Sequence, residues 1–181
     1  ARHPNNVTLA RLQARALDEG GDFDAGANVL REALAANDRE PTAYIALADY
    51  YSVHDRFADA VKLLELAEER FPADTSILFQ LGAVFERHDS FLDAEAAFRR
   101  ILDREPGHAA TLNYLGYLLA DRGERLEESI GLLKRAIKID PYNGAYLDSL
   151  GWAYFKLERL DLAETNLRQA RLSLKEVKAG I

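Results

Sequence analysis

The chain has 181 residues, no Cys, no Met and a formal net charge of −7, with 48% apolar and 29% charged residues. That is the profile of a folded protein with room for a sizeable core, and it excludes disulfides, thiolate nucleophiles, zinc–thiolate sites and iron–sulfur clusters. The acidity argues against general nucleic-acid binding, which needs a basic face, and no stretch approaches the roughly 20 apolar residues of a membrane-spanning helix.

The N-terminus ARHPNNVTLA carries neither an initiating Met nor the apolar core of a signal peptide, as expected of a processed or excised chain. Missing cysteines fit either side of a membrane, so no compartment is assigned. From residue 7 onward the chain repeats itself. Repeat one, 7–40, is the faintest, with Gln13-Ala14, Phe23, Gly26 and Leu30. Repeat two, 41–74, carries Leu47-Ala48, Phe57, Ala60, Leu64 and Pro72 at the same offsets. Repeat three, 75–108, has Leu81-Gly82, Phe91, Ala94, Phe98 and Pro106. Repeat four, 109–143, has Leu115-Gly116 and, after a one-residue insertion, Leu126, Ser129, Leu133 and Pro141. Repeat five, 144–177, has Leu150-Gly151, Leu160, Ala163 and Leu167, and lacks the Pro.

Each column has a physical task. Apolar residues fall twice per repeat at helical spacing, as in Tyr44, Leu47, Tyr51 and then Phe57, Val61, Leu64, which predicts a pair of helices. Small residues at columns 8 and 20 let the two helices cross closely, and large residues at columns 4, 7, 11 and 24 fill the space around the crossing. Gly20-Gly21, His54-Asp55, His88-Asp89 and Gly123-Glu124 mark the turns, and Pro at column 32 ends the second helix. No segment alternates with period two, so the chain reads as all-α.

Small residues at columns 8 and 20, aromatics at 11 and 17 and Pro at 32 together resemble the tetratricopeptide repeat, over nearly the whole chain. Repeat three, with Leu78, Leu81, Gly82, Phe85, Ala94, Phe98 and Pro106, matches best. Repeat one departs most, with Ala10, Gln13 and Asp38 at columns that usually hold larger residues or Pro. LNYLGYLLADRG and LDSLGWAYFKLERLDLAE resemble bacterial members. The resemblance implies a single domain, a right-handed superhelical solenoid of about five helix-turn-helix repeats, whose first helices line a concave groove. It also implies that columns 2, 5, 9 and 12 face that groove. Those columns include Ile45, Asp49 and Ser52 in repeat two, Phe79 in repeat three, Asn113, Tyr117 and Ala120 in repeat four, and Asp148, Trp152 and Phe155 in repeat five.

The candidate partner-binding residues are therefore Ile45, Asp49, Phe79, Asn113, Tyr117, Asp148, Trp152 and Phe155. Aromatics gather in repeats four and five, where Tyr114 neighbours Tyr117, while repeats one to three hold a large excess of acidic residues and the last two are neutral. That suits a peptide or protein ligand with apolar anchors and a basic flank, because groove aromatics bury much area at low entropy cost. A second reading has Trp152 and Phe155 simply packing between first helices, or meeting a further repeat. A Trp152→Ala chain is expected to bind its partner more weakly and keep its fold. Related domains that grip a C-terminal carboxylate use Lys, Asn and Arg at groove columns; here Asp49 and Ser52 follow Arg11 and Arg15, so no such clamp is expected.

His54 and His88 recur at column 14 beside Asp55 and Asp89, either as a divalent-metal pair or, on the favoured reading, as helix-terminal residues meeting the negative end of the dipole. No nucleophile elbow, HExxH or phosphate-cradling loop occurs, so the chain is read as non-catalytic, with no cofactor and no metal. Without Pro at column 32, the last helix is expected to run past Leu174, carrying Leu172, Leu174 and Val177. Exposed apolar ends allow homo-oligomerisation. The main expectation is a protein-interaction scaffold; the alternatives are a self-assembling structural scaffold or the helper domain of a larger bacterial enzyme.

Overall fold

A computed structural model describes residues 6–179, with side chains through Ser173. Among the described residues it contains ten α-helices and no strand. They are α1 (Val7–Glu19), α2 (Phe23–Ala36), α3 (Pro41–Val53), α4 (Phe57–Arg70) and α5 (Thr75–Arg87), followed by α6 (Phe91–Arg104), α7 (Ala109–Asp121), α8 (Leu126–Ile139), α9 (Gly144–Lys156) and α10 (Leu160–Ala179). Every first helix is 13 residues long and starts on the first residue of its repeat. Every second helix starts at column 17, on Phe23, Phe57, Phe91, Leu126 or Leu160.

The turns show why. In all five repeats the residue at column 15 is left-handed: Gly21, Asp55, Asp89, Gly123 and Glu158, with φ of 80°, 58°, 59°, 68° and 60°. The next N–H, on Asp22, Arg56, Ser90, Glu124 or Arg159, donates back to the carbonyl at column 11. That bond satisfies a carbonyl the helix end leaves open and turns the chain into the second helix. Repeat four absorbs its extra residue with a second left-handed residue, Arg125, at φ 46°.

Pro72, Pro106 and Pro141 each lie two residues beyond a helix end, at Arg70, Arg104 and Ile139. Repeat one replaces that Pro with Asp38. Its carbonyl accepts from the Tyr44 hydroxyl at 3.0 Å, and its carboxylate accepts from Arg70 at 2.6 Å. Helix α10 runs 20 residues instead of the 14 of its counterparts, as the missing Pro predicts. The side chains of Leu174 and Val177 lie outside the described residues.

The chain forms two compact bodies, one up to Ala94 and one from Glu95. In the first, α1 pairs with α2 and α3 with α4, and successive pairs stack, α2 against α3 and α4 against α5. The column-17 rings take part in the stacking. Phe23 lies 5.4 Å from the Tyr50 ring and 4.7 Å from His54, and Phe57 lies 6.1 Å from Phe85 and 4.8 Å from His88. In the second body, Ala120, Ile130, Leu133, Leu150, Ala153, Tyr154 and Ala163 form one buried cluster drawn from α7 to α10. Its helix pairs cross at glycine: a Cβ added to Gly116 would sit 2.7 Å from Leu133 Cγ, and one added to Gly151 would sit 2.6 Å from Leu167 Cγ.

Polar ties reinforce the second body. The Arg125 guanidinium donates to both carboxylate oxygens of Glu95, at 2.8 Å for Oε1, and Arg99 bridges Glu95 and Glu128 at 2.7 Å to each. Arg125, with help from Arg99, holds the half-buried Glu95 carboxyl below the usual carboxylate range, against the opposing effect of burial.

Candidate functional site

Five of the groove-column candidates lie in the second body, on α7 and α9, which pack side by side. A 13-residue helix that buries its columns 4, 7 and 8 must turn columns 5, 9 and, at its open end, 12 away from the centre of that buried face. Accordingly Asn113 is half-buried, Tyr117 is 41% exposed, Asp148 is exposed, Trp152 is half-buried and Phe155 is 50% exposed. The structure brings these five residues to one pair of neighbouring helices.

Their surroundings differ. The Trp152 and Phe155 rings stack with centroids 5.5 Å apart and planes 21° apart. The Lys156 ammonium lies 5.0 Å from the Trp152 centroid and donates to the Asp121 carbonyl at 2.7 Å, closing the C-terminal end of α7. Trp152 also packs on the buried cluster, so it is shared between core and surface. Its inner edge packs against the core, as the second reading of Trp152 expected. The indole Nε1 and the Asn113 Oδ1 are buried atoms with no hydrogen-bond partner. Tyr114, one residue from Asn113, lays its ring 5.9 Å from Phe98 and is still 43% exposed.

Column 12 is divided: Phe155 is exposed, whereas Ala120 and Ser52 are not. Ala120 belongs to the buried cluster, and Ser52 in the first body is sealed. The reason at Ser52 is the histidine at column 14 of the next repeat. His88 Nε2 lies 3.2 Å from the Ser52 hydroxyl and 3.1 Å from its carbonyl, and Arg87 donates to the same hydroxyl at 2.9 Å. His54 likewise reaches back, with Nε2 3.1 Å from Asp18 Oδ1. Both histidines are helix C-caps. Among the described residues no group of three His, Cys, Asp or Glu side chains is arranged to hold a metal ion.

The other candidates lie in the first body. Ile45 and Asp49 sit half-buried on α3, and Phe79 sits half-buried on α5. Asp49 is drawn into ion pairs with Arg87 at 3.3 Å and Arg11 at 3.5 Å. Between α1 and α3, a cavity of about 380 Å³ is lined by Arg11, Arg15, Asp18, Asp49, Tyr50 and Val53 among others. Its polar lining, Arg11, Arg15, Asp18 and Asp49, stands at the groove columns, while Leu12, Leu30, Ala46 and Val53 supply an apolar side that those columns do not announce. No described helix is long and apolar enough to cross a membrane.

Comparison with known proteins follows the same pattern. The family described as tetratricopeptide repeat matches residues 11–75 and 79–144. The TPR repeat-containing protein PA4667 of Pseudomonas aeruginosa is 32% identical over 168 residues, covering 92% of this chain and 28% of that protein. The chain thus spans 28% of the length of this curated relative. The crystal structure of MamA superposes with a TM-score of 0.70 at 21% identity, covering 93% of this chain and 97% of that one. YrrB, whose structure is described as that of a TPR protein with an unusual peptide-binding site, superposes with a TM-score of 0.62 at 19% identity, covering 96% and 93%. At these identities the two structures speak for the fold.

Proposed function

Because the chain belongs to the tetratricopeptide repeat family, whose fold is typical of protein–protein interaction scaffolds, we propose that it is a non-catalytic scaffold whose α7–α9 face grips a peptide segment of a partner through apolar anchors. The observation that carries this is the exposure of Tyr117 and Phe155 beside the Trp152–Phe155 stack. Large aromatic rings left in water on a rigid helical surface regain their burial when a ligand covers them, and they lose little entropy in doing so. Lys156 and Asp148 border the rings with one charge of each sign, which suits a polar rim around an apolar centre. A helical surface without convergent acid, base and nucleophile supports binding rather than chemistry.

Selection of a random peptide library on the full chain tests the proposal. Selected peptides should carry apolar anchors, and their affinity should fall about tenfold or more in Tyr117→Ala and Phe155→Ala, the range of interface hot spots. Equal affinity for these variants and the parent would place the binding elsewhere.

A further inference from the structure

In the second body, Trp152 at column 9 packs inward and Lys156 at column 13 closes the end of the seam between α7 and α9. The same columns of repeat two hold Asp49 and Val53, which are shorter. Between α1 and α3 they leave the cavity of about 380 Å³, bounded on both sides by this chain's own helices. Its floor is Leu30, Ala46 and Tyr50, all buried. Leu12 and Val53 wall it and stand 60% and 55% exposed.

The charges of the lining decide what this apolar slot takes. Its two cations already hold carboxylates of this chain, Arg11 that of Asp49 at 3.5 Å and Arg15 that of Glu19 at 3.2 Å. Asp49 also receives Arg87 and the Gln80 amide, each at 3.3 Å. Asp18 turns one oxygen to His54 Nε2, at 3.1 Å, and keeps the other for a donor from outside. The wider field is negative, since residues 7–94 hold 17 acidic and 8 basic side chains. Tyr50 feels that field at the cavity floor. Burial first, and then the carboxylates of Asp18, Asp22 and Asp24, push its hydroxyl above the usual phenol range.

We propose that the cavity between α1 and α3 docks a basic segment of a partner protein, one of whose Arg or Lys side chains enters it. The aliphatic stem lies between Leu12 and Val53, and the charged head reaches Asp18. Long basic side chains suit such a slot because they bury their methylenes on apolar walls while the head stays among polar groups. An acidic segment would have to draw Arg11 and Arg15 away from Asp49 and Glu19, against the field of the body. This site stands in the first body and does not rest on the α7–α9 face.

The probe is a short blocked peptide of glycine and serine with an arginine between two leucines at its centre, and its mate carries glutamate in place of the arginine. Amide resonances of the full chain are followed as each is added. The basic peptide should shift amides of α1 and α3 around Leu12 and Val53, and the acidic mate should not. Val53→Lys sets an ammonium at the cavity wall and should weaken the basic peptide about tenfold, as a like-charge juxtaposition does. Val53→Glu should tighten it. Glu65→Gln, exposed on α4 and outside the cavity, changes the net charge as Val53→Lys does and should leave the affinity within about twofold, since solvent screens remote charges. Val53 is more than half exposed, and unchanged resonances in the second body check that each variant keeps its fold. Preference for the acidic peptide overturns the proposal in favour of an anion held by Arg11 and Arg15. Equal losses in Val53→Lys and Glu65→Gln overturn it in favour of a diffuse field, and absent shifts in α1 and α3 overturn it outright. None of these outcomes bears on ligands of the α7–α9 face, whose variants are Tyr117→Ala and Phe155→Ala.

Discussion

The Ser129 hydroxyl donates to the Gly116 carbonyl at 2.6 Å, tying α8 to α7 at the point where they cross. The approach leaves no room for a side chain at column 8, because Leu133 already fills it. Gly116→Ala should therefore cost about 1–3 kcal/mol by overpacking. Gly151→Ala should cost less, because the exposed Leu167 has room to give way and Leu133 has none. Gly131, in the middle of α8 with nothing within 4 Å, supplies the opposite case: Gly131→Ala should stabilise by about 0.5–1 kcal/mol. Urea unfolding midpoints of the three variants check the order; a Gly116→Ala chain as stable as the parent would contradict the crossing geometry.

The left-handed residue at column 15 gives a prediction of the other sign. Glu158 holds φ 60°, a conformation that costs a side chain roughly 1–2 kcal/mol and glycine almost nothing. Its side chain is exposed. Glu158→Gly should raise the melting temperature by roughly 2–4 °C, the shift expected for about 1 kcal/mol in a chain of this size. The same change at Asp55 should give less, since Asp tolerates this region better than Glu. Differential scanning calorimetry on the two variants decides between gain and loss.

The repeat columns made the helices legible in the sequence because each column does one packing job five times over. Where a side chain does two jobs, the columns misled. Trp152 stands at a groove column and still packs inward on the cluster, and Ser52 stands at another and is sealed by His88 from the next repeat. Such contacts join residues about one repeat apart, and no local spacing announces them. The Arg125–Glu95 pair is the same kind of case. Its partners are 30 residues apart, and Arg125 reaches Glu95 from the left-handed position at the inserted residue.

The Glu95 clamp predicts a pH dependence. Arg125 and Arg99 lower the carboxyl's pKa in the folded chain, so its contribution is fully present above the unfolded-state value of about 4.3. It is lost as pH falls from there through the depressed folded value. Glu95→Gln should be less stable at neutral pH and show a flatter loss below about pH 4.3. Chemical denaturation at pH 7 and at pH 3 tests this. A constant difference between parent and variant at both values would show that Glu95 holds the helices by packing rather than by charge.

The α7–α9 face predicts a split between stability and binding within one aromatic cluster. Tyr117 and Phe155 expose 41% and 50% of their surface, so truncating either removes much solvent-facing area and only part of a packing contact. Tyr117→Ala and Phe155→Ala should stay within roughly 1 kcal/mol of the parent in stability, the usual range for surface changes that touch some packing. Trp152→Ala should cost about 3 kcal/mol, at the low end for a core Trp, because its inner edge packs on the cluster and its outer face carries Lys156. Phe155→Ala also removes the ring stacked on the chain's single Trp, so it should shift the Trp152 emission maximum while the melting temperature changes little. If Trp152→Ala proved as mild as the other two, the indole would belong wholly to the surface. If Phe155→Ala proved as costly as Trp152→Ala, the pair would form one structural unit, and ligand anchoring would fall to Tyr117 alone.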